Sequence, residues 1–411
     1  MSLIRTSLTL SAVAVLAALA ACTTVPSGSA PRQPAPPPSA AQKPETPSAS
    51  KDALPKQVLT PTTFSAIPSW DKDKLREAWP AFMTSCEALV KRPDWKEPCT
   101  VARDVDASSE KKIRVFFESF FVPNLVSNPD GSTTGLVTGY YEPVLNGARK
   151  RGGVYQTPLH RAPDDMLTVD LSSVYPELKN MRLRGRVVGN RIVPYLTRAE
   201  MLQSGVLNGK ELVWVDDPIE AFFLQVQGSG RVKIAETKET VRVAYADQNG
   251  HPYKSIGRYL VDKGELTLDQ ASAQSIKAWY AANPARQNEL LNANPSYVFF
   301  KEEKILDSAK GPKGALGVAL TPERSIAVDP QHIPLGAPVF LSTTQPLTNT
   351  PMQRLMMAQD TGGAIRGAVR ADFFWGLGKE AGEKAGKMKQ QGTMWVLLPK
   401  APVSSASNAT K

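Results

Sequence analysis

Apolar positions recur first at helical spacing and then at strand spacing along this chain. Leu75, Trp79, Phe82, Cys86, Leu89 and Val90 fall three and four residues apart, which predicts an amphipathic helix over 71–91, stopped by Pro93. Ile113, Phe116, Phe117 and Phe120 predict a second helix over about 109–121, ended by Pro123. A strand follows at 136–141, entering Glu142-Pro143. Short β-rich runs then occupy 186–193, 211–215, 222–226, 231–235 and 240–244, separated by Gly, Asn and Pro, the pattern of a small antiparallel barrel. Ile256, Tyr259 and Leu260 predict a helix closed by Gly264. Another, capped by Thr267 with Gln270 three residues later, carries Ile276, Trp279 and Tyr280 and stops before Pro284. Strands resume at 297–300, 317–320, 325–328, 338–341, 354–359, 364–370 and 394–398, while Lys379, Lys384, Lys387 and Lys389 mark a solvated helix face. Helices with one strand, a β insert and then more strands imply a discontinuous, mainly β domain interrupted by a second one.

The N-terminal residues carry a different pattern. Arg5 and Arg32 are the only charges before Lys43, and residues 8–21 form an apolar run of Leu, Val and Ala with Ser and Thr admixed. That run is shorter than the roughly 20 residues that span a bilayer, and its charged start and small-residue end are those of a secretory signal peptide over 1–21. It closes on Leu19-Ala20-Ala21-Cys22, which resembles the bacterial lipoprotein box, with Cys22 as the lipidated first mature residue. Thr23, rather than Asp, follows it, which resembles the pattern for outer-membrane sorting. Residues 23–63 hold ten prolines and no aromatic ring, so 22–63 is expected to be a disordered tether. Residues 400–411 are expected to be a disordered tail.

Charge and composition narrow the chemistry. The formal net charge is +10, and +7 remains on 64–411 once Arg5 and the tether's four basic and two acidic residues are set aside. Such a body suits a polyanion; an exported, anchored chain makes nucleic acid unsuitable and favours an anionic glycan. Three His and three Cys, none clustered, provide no compact metal motif, so neither metal nor cofactor is expected. Cys86 on the first helix and Cys99 in the loop beyond Pro98 could form a disulfide after export or remain two buried thiols.

Three aspartates stand where predicted strands end: Asp329 in Ala327-Val328-Asp329-Pro330, Asp360 in Gln359-Asp360-Thr361-Gly362-Gly363, and Asp372 in Arg370-Ala371-Asp372-Phe373. A poorly solvated carboxyl is pushed up in pKa, and a neighbouring carboxylate pushes one member further, which yields a general acid near neutral pH. Gly362 and Gly363 allow close approach of a ligand to the backbone.

Several stretches are similar to the membrane-bound lytic murein transglycosylases of type A. They are Gly139-Tyr140-Tyr141-Glu142-Pro143, Val226-Gln227-Gly228-Ser229-Gly230, Asn249-Gly250-His251-Pro252-Tyr253, Asn294-Pro295-Ser296-Tyr297, Asp360-Thr361-Gly362-Gly363-Ala364-Ile365 and Asp372-Phe373-Phe374-Trp375-Gly376. The resemblance implies a double-psi β-barrel domain from 64–142 plus 298–399, with a smaller β-barrel domain with helices inserted over 143–297. It implies cleavage of peptidoglycan between N-acetylmuramic acid and N-acetylglucosamine without water, leaving a 1,6-anhydro end. The family's catalytic aspartate falls on Asp372, which would act as acid and then base, with Asp360 and Asp329 in support. A two-carboxylate peptidoglycan hydrolase and a non-catalytic wall-binding lipoprotein are the alternatives. Tyr140, Tyr141, Gln227, Gly228, Ser229, Gly362 and Gly363 are candidate glycan contacts. For Gln227 to Ser229 a purely structural turn is the alternative, and of the two tyrosines one packs in the core. His251 is expected to make a structural hydrogen bond. The expected whole is a monomeric, periplasm-facing outer-membrane lipoprotein.

Overall fold

The computed structural model describes residues 58–178, 181–305 and 307–401. The expected signal peptide, Cys22, most of the tether and nearly all of the tail lie outside the described residues. Residues 58–63 correct the tether's expected boundary: β1 (Leu59–Pro61) pairs antiparallel with residues 124–126 and so belongs to the fold.

Three helices come next. α1 (Leu75–Leu89) buries Leu75, Trp79, Phe82, Cys86 and Leu89, the stripe seen in the sequence. Pro93 starts α2 (Pro93–Val101) as well as ending what precedes it, because a proline at the first helical position has no N–H to satisfy. Cys99 therefore sits on a helix rather than in a loop, and it is disulfide-bonded to Cys86, with 5.3 Å between Cα atoms. α3 (Glu110–Phe120) is capped by the Ser109 side chain, which accepts from Lys112 N–H. Trp79, Phe82, Phe116 and Phe117 lock α1 to α3 with ring centroids 5.1–5.9 Å apart.

β2 (Phe121–Val126) and β3 (Gly135–Glu142) lead to the excursion. β4 (Val144–Ala148), β5 (Thr157–His160), β6 (Leu167–Thr168), β7 (Arg184–Val188), β8 (Arg191–Pro194), α4 (Arg198–Ser204), β9 (Glu211–Val215), α5 (Pro218–Gln227), β10 (Ser229–Ile234) and β11 (Thr240–Gln248) follow. Then come α6 (Ile256–Asp262), α7 (Ala273–Ala282), α8 (Gln287–Asn292) and β12 (Val298–Glu303). The excursion builds one sheet in the order β12-β11-β10-β4-β9-β5 and a small one, β6-β7-β8. Because β4 and β10 run parallel, the larger sheet is mixed rather than the expected antiparallel one. β12 pairs with β11, so the insert extends past the expected boundary at 297.

The chain returns through β13 (Ser325–Val328), β14 (Pro338–Thr344), β15 (Pro351–Asp360), β16 (Ala371–Leu377), α9 (Gly378–Lys387) and β17 (Lys389–Pro399). With β1 to β3 these form one sheet, β1-β2-β17-β14-β15-β13-β16-β3, in which β17 pairs with β3 as well, so the order of six strands returns to where it began. Its apolar side, including Ile326, Phe340, Leu355, Phe373 and Val396, shares one core with α1 to α3. Gln359, fully buried, fastens that contact: its Nε2 donates to Ala81 O (2.9 Å) and Ser85 Oγ (3.0 Å) on α1.

Four further expectations change. Residues 222–226 lie in α5, whose start is an Asp217 cap followed by Pro218; a short apolar run fits either element, and the cap decides. Residues 317–320 make a single bridge, Lys313 with Ala319, rather than a strand. Residues 364–370 form a loop, with the strand starting at Ala371, so Asp372 stands at the beginning of a strand and not at its end. The helix predicted from a Thr267 cap instead starts at Ala273, capped by Ser272.

Candidate active site

Strand register gathers two of the three aspartates. Ala327 on β13 pairs with Asp360 on β15 to one side and with Asp372 on β16 to the other. Residues in register point to the same face, so the two carboxyls flank a methyl group, their Cα atoms roughly 10 Å apart across two strand spacings. Asp372 pairs in turn with Thr138 on β3, and Tyr140, two residues on, shares that face.

The two carboxyls are bonded differently. Asp360 accepts three hydrogen bonds: from Ala315 N (2.9 Å) and Thr361 N (2.9 Å) on Oδ1, and from the Tyr140 hydroxyl (3.0 Å) on Oδ2. Asp372 Oδ1 accepts from Thr138 Oγ1 at 2.6 Å. Beside them Tyr140, Leu320, Ala327, Ile365 and Phe374 form a separate buried apolar cluster, with Tyr140 and Phe374 ring centroids 5.2 Å apart.

That wall governs the protonation states. Burial, with the nearby Asp372 charge adding to it, pushes Asp360 up to about 6 against the opposing pull of its three donors. Burial likewise raises Asp372, countered by the Thr138 hydrogen bond and the Arg370 charge. Tyr140 is raised well above an ordinary phenol, by burial first and then by both aspartates, so it stays a neutral donor. Three donors favour the ionised form of Asp360, whereas Asp372 has one, from Thr138. A protonated carboxyl beside an ionised one, over an apolar floor, is an arrangement suited to acid and then base work on one bond.

Asp329, nearly fully buried, has another task. Its Oδ2 accepts from Gly367 N (2.9 Å) and its Oδ1 from Gln331 N (3.2 Å), tying the 361–370 loop to the end of β13. Gly362 and Gly363 lie in that loop; a side chain at Gly363 would meet open space, and one at Gly362 would touch Ile365 at 3.0 Å. Arg366 Nη1 donates to Gly362 O (3.2 Å) across the loop.

Other predicted residues sit at the junction of the excursion. Gln227 is the last residue of α5, and its Oε1 accepts from Tyr141 N at 3.0 Å. Gly228 ends that helix in a left-handed conformation (φ 81°), and Ser229 begins β10 and is buried, so these residues join a helix to a strand rather than two strands. Tyr141, on the opposite face from Tyr140, packs against α9, where a side chain at Gly382 would come within 2.7 Å of its ring; burial pushes its phenol up to about 12. His251 Nε2 lies 2.7 Å from Tyr195 O, in a structural hydrogen bond.

Glu142, fully buried, meets Arg231 Nε at 3.0 Å and Arg242 Nε at 2.6 Å, and both arginines donate to Lys310 O. This clamp fastens the end of β3 to the insert sheet and to the 310–320 loop that supplies the Ala315 N–H.

Sequence reasoning did not single out Thr138, Arg370, Ala315 or Ala327. Strand alternation from Tyr140 placed Thr138 on the same face, and Ala327 stood in register with no signal beyond its small size.

Comparisons with known proteins follow the same division of the chain. Residues 136–301 match the family model described as MltA specific insert domain, and residues 324–398 match the 3D domain. A solved lytic transglycosylase, LtgG, of Burkholderia pseudomallei is 49% identical, with 84% of this chain and 96% of that chain covered at a TM-score of 0.57. MltA from Neisseria gonorrhoeae is 41% identical over 84% of this chain and 93% of that one, with a TM-score of 0.72. Membrane-bound lytic murein transglycosylase A of Escherichia coli is 33% identical over 266 residues, which span 63% of this chain and 64% of that relative's own length.

Proposed function

The chain belongs to the membrane-bound lytic murein transglycosylase A family, and from that premise we propose that it cleaves the glycan strands of peptidoglycan between N-acetylmuramic acid and N-acetylglucosamine without water. The observation that carries the reading is the carboxyl pair around Ala327, one rich in hydrogen-bond donors and one poor.

Asp372 enters protonated and gives its proton to the glycosidic oxygen as the bond from muramic C1 breaks. The resulting carboxylate takes the proton from the C6 hydroxyl of the same sugar while O6 bonds to C1. The proton count closes, Asp372 is again protonated, and the product carries a 1,6-anhydro ring. Because the nucleophile is part of the substrate, no second carboxylate is needed to activate water. Asp360, held ionised by its three donors, stabilises positive charge developing at C1, and Tyr140 keeps it in place. Asp329 keeps the 361–370 loop in register with the pair. The closed order of six strands supports a double-psi β-barrel, and the sheet of β4, β5 and β9 to β12 supports the smaller barrel domain.

Anchoring through a lipidated Cys22 on the periplasmic side of the outer membrane, a monomeric state and a tether that spans toward the wall complete the reading. The membrane-bound relatives support it, and among the described residues no helix is long and apolar enough to cross a membrane. Mass analysis of muropeptides released from purified sacculi tests the reaction. Ends lighter by one water support it, and reducing ends alone would establish the two-carboxylate hydrolase instead.

A further inference from the structure

We propose that Thr138 and Arg370 are positioning residues which dictate the oxygen of Asp372 that carries its proton. The inference rests on Asp372 being the acid. Arg370 Nη2 donates to Thr138 Oγ1 at 2.9 Å, and Thr138 Oγ1 donates to Asp372 Oδ1 at 2.6 Å. A guanidinium has donors only, so the Thr138 oxygen must accept from it. With one of its two lone pairs so engaged, the hydroxyl directs its hydrogen at Asp372, and Oδ1 accepts it. The carboxyl proton is therefore confined to Oδ2, the oxygen left for a glycosidic bond.

Both partners are held against drift. Arg370 Nη1 donates to Leu136 O (3.3 Å) and Ala371 O, which fixes the plane of the fork. Thr138 is in register with Asp372, and its β-branched side chain is stiff at χ1 within a strand. The pair serves both halves of the reaction: it leaves the proton on Oδ2 at the start and stabilises the carboxylate that remains after transfer. The charged and titratable groups around Asp372 are Arg370 on its own segment, Tyr140 on β3, Asp360 and Asp329 at the ends of β15 and β13, and Lys389, which pairs with Thr138 from β17. Of these, Arg370 alone reaches Asp372 through a hydroxyl.

The test is a carbon-13 titration of the Asp372 carboxyl in the full chain, with its resonance assigned by Asp372→Asn. Loss of the donor in Thr138→Val is expected to raise the titration midpoint by about one pH unit. Thr138→Ser is expected to titrate like the parent, and Arg370→Met to shift in the same upward direction as the valine variant. The basic limb of kcat/KM, which reports the protonated acid of the free enzyme, is expected to move to higher pH by the same amount. A folded Thr138→Val or Arg370→Met protein that titrates as the parent does would overturn the relay, and should the valine variant not fold, Arg370→Met alone decides. The titration needs no turnover. A shifted midpoint in a parent without lytic activity would thus sink the proposed function and leave the relay standing.

Discussion

Replacing Tyr140 by Phe removes one hydrogen bond and almost nothing else. The ring is 8% exposed and held by Phe374, and phenylalanine keeps that packing. The hydroxyl is one of three donors that lower the Asp360 pKa against its burial, and the balance stands at about 6. A hydrogen bond to a charged acceptor contributes about 1.5 kcal/mol at the low end, and 1.36 kcal/mol corresponds to one pH unit. The variant's Asp360 is therefore expected to titrate near 7. If turnover needs Asp360 ionised, the acid limb of the rate profile follows it. At pH 6 the ionised fraction falls from about one half to about one tenth, a loss of roughly fivefold, whereas at pH 8 the two proteins differ by about a tenth. The sign for stability is the same: a carboxyl raised above 3.8 in the fold costs nothing below that value, and its cost is complete above the folded pKa. Initial rates of dye release from labelled sacculi between pH 5 and 8 check the shift. A limb that stays near pH 6, or a loss of equal size at every pH, would refute the role given to Asp360.

Other consequences are structural. Opening the Cys86–Cys99 disulfide, which closes a separation of 13 residues, as in the double alanine variant, is expected to lower stability by about 3 kcal/mol in denaturant titrations, with no reductant dependence left. Arg324 is buried against Asp73 (3.1 Å) and also reaches Glu77 (2.7 Å), joining β13 to the start of α1; Arg324→Met leaves Asp73 uncompensated and is expected to cost about 3–5 kcal/mol. Adding Asp73→Asn to that variant is expected to recover part of the loss, and a double variant worse by the sum of both would contradict the pairing. Asp372→Asn is expected to stabilise the fold as pH rises above the ordinary aspartate range and to leave it unchanged near pH 3, because only the ionised form of a raised carboxyl is disfavoured by folding. Thermal melts across that range check the sign.

The helical stripe of α1 and the strands β13, β14, β15 and β17 were legible because burial imposes its period directly on the residues. The reach of the insert was legible in outline, from the order of helices and strands. Where a short apolar run meets a cap, as at Asp217-Pro218, the pattern is compatible with two elements, and a helix stands where the run alone predicts a strand. The aspartates were visible as residue types beside apolar runs. Their geometry was not, because it depends on which strands neighbour β13, and β16 in turn pairs with β3, more than 180 residues earlier in the chain. That same non-local register hid Thr138 and Ala327, whose importance comes from what stands beside them. Gln227 shows the converse: a polar residue in a suggestive motif whose carbonyl oxygen is already engaged by Tyr141 N–H.

The most direct test of the central claim is Asp372→Asn in the full chain, assayed for both muropeptide release from sacculi and sacculus binding. The amide keeps an acceptor for Thr138 and removes the transferable proton. The account predicts that release falls by about a thousandfold or more while the bound fraction in co-sedimentation stays that of the parent. Release near the parental rate would contradict it.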